Sequence, residues 1–224
     1  MPLGPDAPTH ASLIRFDPQR FAPSAFEDWN IQAPARIAGG DLGRQADFFY
    51  GRLAARRAGA AAGIVIENLP ITASRAPAWP PGVIGSISHS EGVAVAAVMP
   101  AGDQRGFGID VERVISTEVM REILPVVMGP GELAAIMSNR HALSMEQLST
   151  IVFSLKEAFF KAVFRAVNYY FDFSAVRITK VDAEAFCVRL EVVQTLTEDL
   201  KEGEIFTGGY KLIGGGMLMT SFVW

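Results

Sequence analysis

Apolar and polar positions change rhythm several times along the chain, and each change predicts an element. Over residues 41–62, "DLGRQADFFYGRLAARRAGAAA" sets Leu42, Phe49 and Leu53 on one stripe at helical spacing. Asp41 is placed to cap the start of that helix, and Gly63 to end it. Three short apolar runs follow at residues 83–88, 92–99 and 107–111, separated by "HSEG" and "PAGDQRG". Turns of that length predict an antiparallel meander, with the run at 107 as its third strand. Helical period returns in "GPGELAAIMS", with Pro130 near a helix start, and in "SMEQLSTIVFSLKEAFFKAVFRAV", where Ser144 and Gln147 are spaced as a capping box. Residues 171–224 alternate as several strands, broken at Gly208, Gly209 and Gly214 to Gly216.

The order helix, strands, helices, strands predicts an α+β fold rather than a doubly wound parallel sheet. Pro2, Pro5, Pro8, Pro18, Pro23 and Pro34 mark residues 1–40 as an irregular arm with one short strand at "SLIRF". The remainder divides into an N-terminal half, 41–113, and a C-terminal half, 114–224. No internal repeat relates the two halves.

Composition narrows the class. The 224 residues are 50% hydrophobic and 20% charged, a balance that folds and buries a sizeable core. A net charge of -4 argues against a general nucleic-acid binder. The single cysteine, Cys187, forms no internal disulfide and fits a reducing cytoplasm. No basic start precedes a long apolar run, and no apolar stretch reaches the roughly 20 residues of a membrane helix, so a soluble protein is expected.

Candidate chemistry starts at "GFGIDVE", residues 106–112. On a strand, Asp110 and Glu112 share a face while Ile109 and Val111 take the other. Adjacent carboxylates repel unless water screens them, a proton is shared or a cation intervenes. In "FSLKEAFFKAV", Glu157 and Lys161 are spaced i,i+4, either as a surface salt bridge or as a charged notch among Phe153, Phe159 and Phe160. With the third acid facing the first two, the oxygen-rich set suits Mg²⁺ shared with phosphate. Three histidines and one cysteine give no basis for zinc. His89, with Ser86, Ser88 and Ser90 in "GSISHS", lacks the G-x-S-x-G elbow of a hydrolase. Beside a cationic helix flank of Arg44, Arg52 and Arg56, and near Arg75, it suits phosphate recognition instead.

"GSISHS", "GIDVE" and "FSLKEAFFKA", in that order, resemble the three signature motifs of 4'-phosphopantetheinyl transferases of the surfactin- and enterobactin-synthetase-activating type. "RAPAWPPG" and "YGRLAAR" are similar to further family patterns, and the resemblance runs from residue 41 to the last residue. It implies two similarly built halves related by a pseudo-two-fold, meeting near residues 113–116, with the active site in the cleft between them. It implies transfer of the phosphopantetheine arm of coenzyme A to a serine of an apo carrier protein (acyl, aryl or peptidyl), releasing 3',5'-ADP, by a cytoplasmic monomer. Mg²⁺ would be held by Asp110, Glu112 and Glu157. Lys161 would lie on a phosphate, Ser88 and His89 near the phosphates of the adenosine half, and Arg44, Arg52, Arg56 and Arg75 on coenzyme A. Lys156 belongs to the same motif, and Glu157 and Glu132 are candidates for the general base. The carrier would dock on residues 116–128, "STEVMREILPVVM", and near Met137 and Arg140. Two rival readings share these features: a Mg²⁺-dependent small-nucleotide phosphohydrolase, and a non-catalytic module that binds coenzyme A or a carrier protein.

Overall fold

The computed structural model describes residues 10–129, 131–138 and 141–224, and its apolar runs sort into two separate sheets. One sheet belongs to the unit Met1–Gln104, the other to the unit Arg105–Trp224. Pro2, Pro5, Pro8, Pro130 and Arg140 lie outside the described residues.

The first unit runs β1 (His10–Arg15), α1 (Ala25–Asp28), α2 (Ala35–Ala38), α3 (Leu42–Ala61), β2 (Val83–Ser90) and β3 (Val93–Pro100). Its three strands pair antiparallel in the order β1-β3-β2, and Glu91 and Gly92 close the β2–β3 hairpin. β3 is buried along nearly its whole length, as its unbroken apolar run requires. The α3 start follows expectation: the Asp41 carboxylate accepts from the Arg44 N–H at 2.9 Å. Leu42 is exposed, whereas Phe49 and Leu53 are buried with Ala46, Ala54, Ala55 and Ala58. The small alanines bring the helix axis close to Ala96 and Val98.

The expected irregular arm needs correction. The short strand expected at "SLIRF" is present as β1, which completes the sheet, but the rest of residues 10–40 is not irregular: α1 and α2 form, and Phe21, Ile31 and Ile37 are buried. Prolines sit at the ends of its short elements, where a missing N–H costs least, so their density is compatible with regular elements between them.

The second unit runs β4 (Phe107–Arg113), α4 (Thr117–Val127), α5 (Glu132–Met137), α6 (Met145–Val167), β5 (Val176–Asp182), β6 (Cys187–Val192), β7 (Ile205–Gly214) and β8 (Met217–Val223). The five strands are antiparallel in the order β4-β8-β7-β6-β5. The third strand of the expected meander is therefore misplaced: β4 pairs with β8, with Asp110 opposite Thr220. Local turn signals favour pairing with the preceding strand, and a partner at the far end of the chain overrides them. The division expected at 113/114 falls instead between Gln104 and Arg105, because β4 follows its sheet.

α6 carries the expected capping box: Gln147 N–H donates to Ser144 Oγ at 3.2 Å, and Ser144 N–H to Gln147 Oε1 at 2.9 Å. Leu148, Ile151, Leu155 and Phe159 of α6 pack with Ile178, Leu190, Leu218 and Phe222 of the sheet. Each unit thus sets one long helix on an antiparallel sheet, an α+β fold with unequal strand numbers. Among the described residues, no helix is long and apolar enough to cross a membrane.

Candidate active site

β4 reaches α6 through two glycines. A Cβ at Gly108 would stand 1.8 Å from the Ala158 carbonyl oxygen, and one at Gly106 would stand 2.0 Å from that of Ala162. No side chain fits there, so strand and helix backbones touch. Asp110 and Glu112 continue the same face at every second residue, while Ile109 and Val111 are buried on the other. Ser154 of α6 and Thr220, the strand partner of Asp110, share a buried hydrogen bond of 2.8 Å. The glycines of "GFGIDVE" therefore set its acids against the helix that carries "LKEAFFK".

At that contact, Lys161 Nζ donates to Asp110 Oδ1 at 2.6 Å, with the Asp110 side chain 4% exposed and the Lys161 side chain 28%. Glu157, one turn before Lys161, has its carboxyl pushed above the ordinary value, first by burial and further by the Asp110 charge, with Lys161 pulling it back. Asp110 and Glu157 are close enough to repel. Glu112 is half-buried, one step out along β4. Among the described residues, no three His, Cys, Asp or Glu side chains close into a metal-holding group. The donor chemistry nevertheless fits a hard cation: all three are carboxylates, and the most buried of them already holds an ammonium.

Lys156 and Glu132 have a different environment from the one expected. Lys156 Nζ donates to Glu132 Oε2 at 2.8 Å, to the Val127 carbonyl at 2.7 Å and to the Phe173 carbonyl at 3.1 Å. Glu132 Oε1 accepts from the Ile178 N–H at 2.7 Å, and Oε2 also accepts from the Gly129 N–H. Both side chains are 1% exposed. Burial lowers the Lys156 pKa, and Glu132 opposes that shift. The general-base role for Glu132 and a coenzyme contact for Lys156 do not fit this geometry, since each group's hydrogen-bonding capacity is directed into the core. The pair ties α5, α6 and β5 together.

The basic residues of the first unit fall into two sets. Arg52 is buried, donates from Nε to the Leu69 carbonyl at 2.9 Å and lies 4.3 Å over the Phe48 ring. Burial lowers its pKa to about 10. Arg56 donates to the carbonyls of Trp29, Asn30 and Glu67, fastening the 29–30 segment to α3. Both arginines line a pocket with Gln32, Glu67 and Asn68. Arg44 and Arg75 are exposed, and Arg75 adopts a φ of 70° in the turn closed by its own N–H on Thr72 O.

Ser88 and His89, neighbours on β2, take opposite faces, Ser88 buried and His89 exposed. On the α3 side, His89 Nδ1 lies 3.4 Å from Asp47 Oδ2. Asp47 is a neighbour of His89 that sequence reasoning missed. Its helical position next to the signature histidine becomes visible once α3 is packed on β2.

Comparison with known proteins agrees with both units. Residues 34–99 match the 4'-phosphopantetheinyl transferase N-terminal domain, and residues 106–211 match the 4'-phosphopantetheinyl transferase superfamily. The chain is 29% identical to enterobactin synthase component D of Salmonella typhi, over 66% of this chain and 59% of that protein. It is 35% identical to the 4'-phosphopantetheinyl transferase Svp of Streptomyces mobaraensis, over 52% of this chain and 47% of the relative. With the 4'-phosphopantetheinyl transferase Npt of Nocardia iowensis, identity is 32% over 61% and 59% of the two chains. The chain thus spans about half the length of the curated relatives it matches. The two matched domains follow one another along the chain with the signature residues inside them, and the chain belongs to the 4'-phosphopantetheinyl transferase superfamily.

Proposed function

We propose that the chain transfers the 4'-phosphopantetheine arm of coenzyme A to a serine of an apo carrier protein, with release of 3',5'-ADP. The observation that carries this reading is the contact between β4 and α6, which gathers Asp110, Glu157 and Lys161 at one partly open place. The serine oxygen forms a bond to the phosphorus nearest the pantetheine, and the bond from that phosphorus to the ADP oxygen breaks. Glu157 takes the serine proton on a carboxylate oxygen turned away from the cation. Lys161 exchanges Asp110 for a phosphate oxygen and holds it with a charge-assisted hydrogen bond. Mg²⁺, held by Asp110, Glu112 and Glu157, would neutralise charge on the pyrophosphate.

In the first unit, Arg44, Arg75 and His89 are exposed, where an anionic coenzyme would meet them. Arg52 and Ser88 are buried, and Arg56 is spent on carbonyl oxygens, which leaves them to support the others. The carrier domain would dock on the α4–α5 side, where Val119, Val126, Leu133 and Met137 are exposed while Ile123, Val127 and Met128 pack on the core. We place the enzyme in the cytoplasm as a monomer, consistent with a lone free cysteine.

The test is intact-mass spectrometry of candidate apo carrier domains after incubation with the chain, coenzyme A and Mg²⁺. A gain of one phosphopantetheine with equimolar 3',5'-ADP is expected. Nucleotide release without a mass gain would favour the phosphohydrolase, and neither change would favour the non-catalytic module.

A further inference from the structure

Gly51 sets the register between α3 and β2. A Cβ there would stand 2.9 Å from Ile87 Cγ2, so the helix sits close on the strand at this point. One turn earlier on α3 comes Asp47, and two residues on along the same face of β2 comes His89. The two packing relations bring Asp47 Oδ2 to 3.4 Å from His89 Nδ1, with the side chains 30% and 50% exposed. This is an ion-pair distance, somewhat longer than a tight hydrogen bond, and such contacts close further when a ligand engages the other ring nitrogen.

We propose that Asp47 is a positioning residue, holding the His89 imidazole by Nδ1 so that Nε2–H faces the 3'-phosphate of coenzyme A. The inference rests on the reading of His89 as a coenzyme phosphate contact. A carbonyl oxygen at Nδ1 would also orient the ring, but a carboxylate in addition favours the imidazolium, and a cation donating to a dianion makes the stronger bond. Burial pushes the Asp47 carboxyl up, and His89 is the group that pulls it back down, while Asp41 adds to the rise. The carboxylate therefore stands where it can hold the ring by Nδ1. Asp47 itself need not touch the coenzyme.

Calorimetric binding of coenzyme A and of 3'-dephospho-coenzyme A distinguishes this role from a structural one. The parent, Asp47→Asn, Asp47→Glu, His89→Ala and the double variant Asp47→Asn/His89→Ala are compared, with melting curves as the control for folding. Asp47→Asn is expected to weaken coenzyme A about fivefold to tenfold, the loss of one charge-assisted contact, and to leave 3'-dephospho-coenzyme A nearly unchanged. Asp47→Glu should recover most of the loss, and the double variant should bind no more weakly than His89→Ala. If His89→Ala loses the preference for the 3'-phosphate and Asp47→Asn keeps it, the positioning role is overturned and the reading of His89 stands. If His89→Ala keeps the preference, the reading of His89 fails and the inference falls with it. Should Asp47→Asn not fold, Asp47→Ser carries the same comparison.

Discussion

Two lysines five residues apart on α6 each meet a carboxylate, and their surroundings make them different devices. Lys156 and Glu132 are 1% exposed, with two backbone carbonyls on the ammonium and two backbone N–H groups on the carboxylate. Lys161 and Asp110 form an equally close pair, yet the lysine is 28% exposed and Glu157 lies beside it. A closed pair cannot exchange partners without leaving charge uncompensated in the core, whereas an open one can. Burial, and not residue type or ion-pair distance, separates the closed lysine of the motif from the partly exposed one.

The sharpest break of that comparison is in stability. Lys156→Met leaves the Glu132 charge buried and unpaired, and an unfolding loss of about 3–5 kcal/mol is expected in denaturant titrations. Adding Glu132→Gln should recover part of it. A loss no larger than the ~1 kcal/mol of an exposed pair would mean that Lys156 reaches water.

Glu157→Gln probes the open pair. Because the folded-state pKa of Glu157 lies above its unfolded value, the charged carboxyl costs stability once pH rises past the ordinary carboxylate range. The neutral isostere removes that cost at pH 7. In EDTA, its melting temperature should equal or exceed the parent's, and with Mg²⁺ its transfer should be abolished; a clear drop in melting temperature would move Glu157 to the structural side.

A smaller change is expected at the partner surface. Arg121 is exposed on α4, away from both pairs in sequence, and Arg121→Glu should raise KM for an acidic carrier domain severalfold with coenzyme A affinity unchanged. Equal effects on both substrates would remove α4 from the docking surface.

Smallest of all is the pH response of Asp172, near the closed pair. The Ser174 hydroxyl, then its N–H and the Lys156 charge, hold this carboxyl below its ordinary value. Its contribution is therefore complete above the unfolded pKa and lost as pH falls through the folded one. Asp172→Asn should be slightly less stable than the parent at neutral pH, and the difference should vanish in acid. A difference that persists in acid would trace to cap geometry alone.

Local interactions were legible in the sequence. The Asp41 cap, the capping box of α6, the hairpin closed by Glu91 and Gly92, and the alternation that turns Asp110 and Glu112 to one face all depend on neighbours a few residues away. What depended on distant partners was not. β4 pairs with β8 from the other end of the chain, so "GFGIDVE" left the meander and took the division between units with it. Glu132 reads as a candidate general base, and its burial against Ile178 and Lys156 follows only from packing. Asp47 carries no signal beyond its helical position, because its relation to His89 is set by where Gly51 meets Ile87.

The most direct measurement is transfer by Asp110→Asn, read by intact mass of an apo carrier domain beside the parent, each with Mg²⁺ and with EDTA, and with melting curves of the same samples. The account predicts that the parent adds one phosphopantetheine only with Mg²⁺, and that Asp110→Asn adds none while melting at or near the parent temperature. Modification of the carrier by Asp110→Asn at the parent's rate would contradict it.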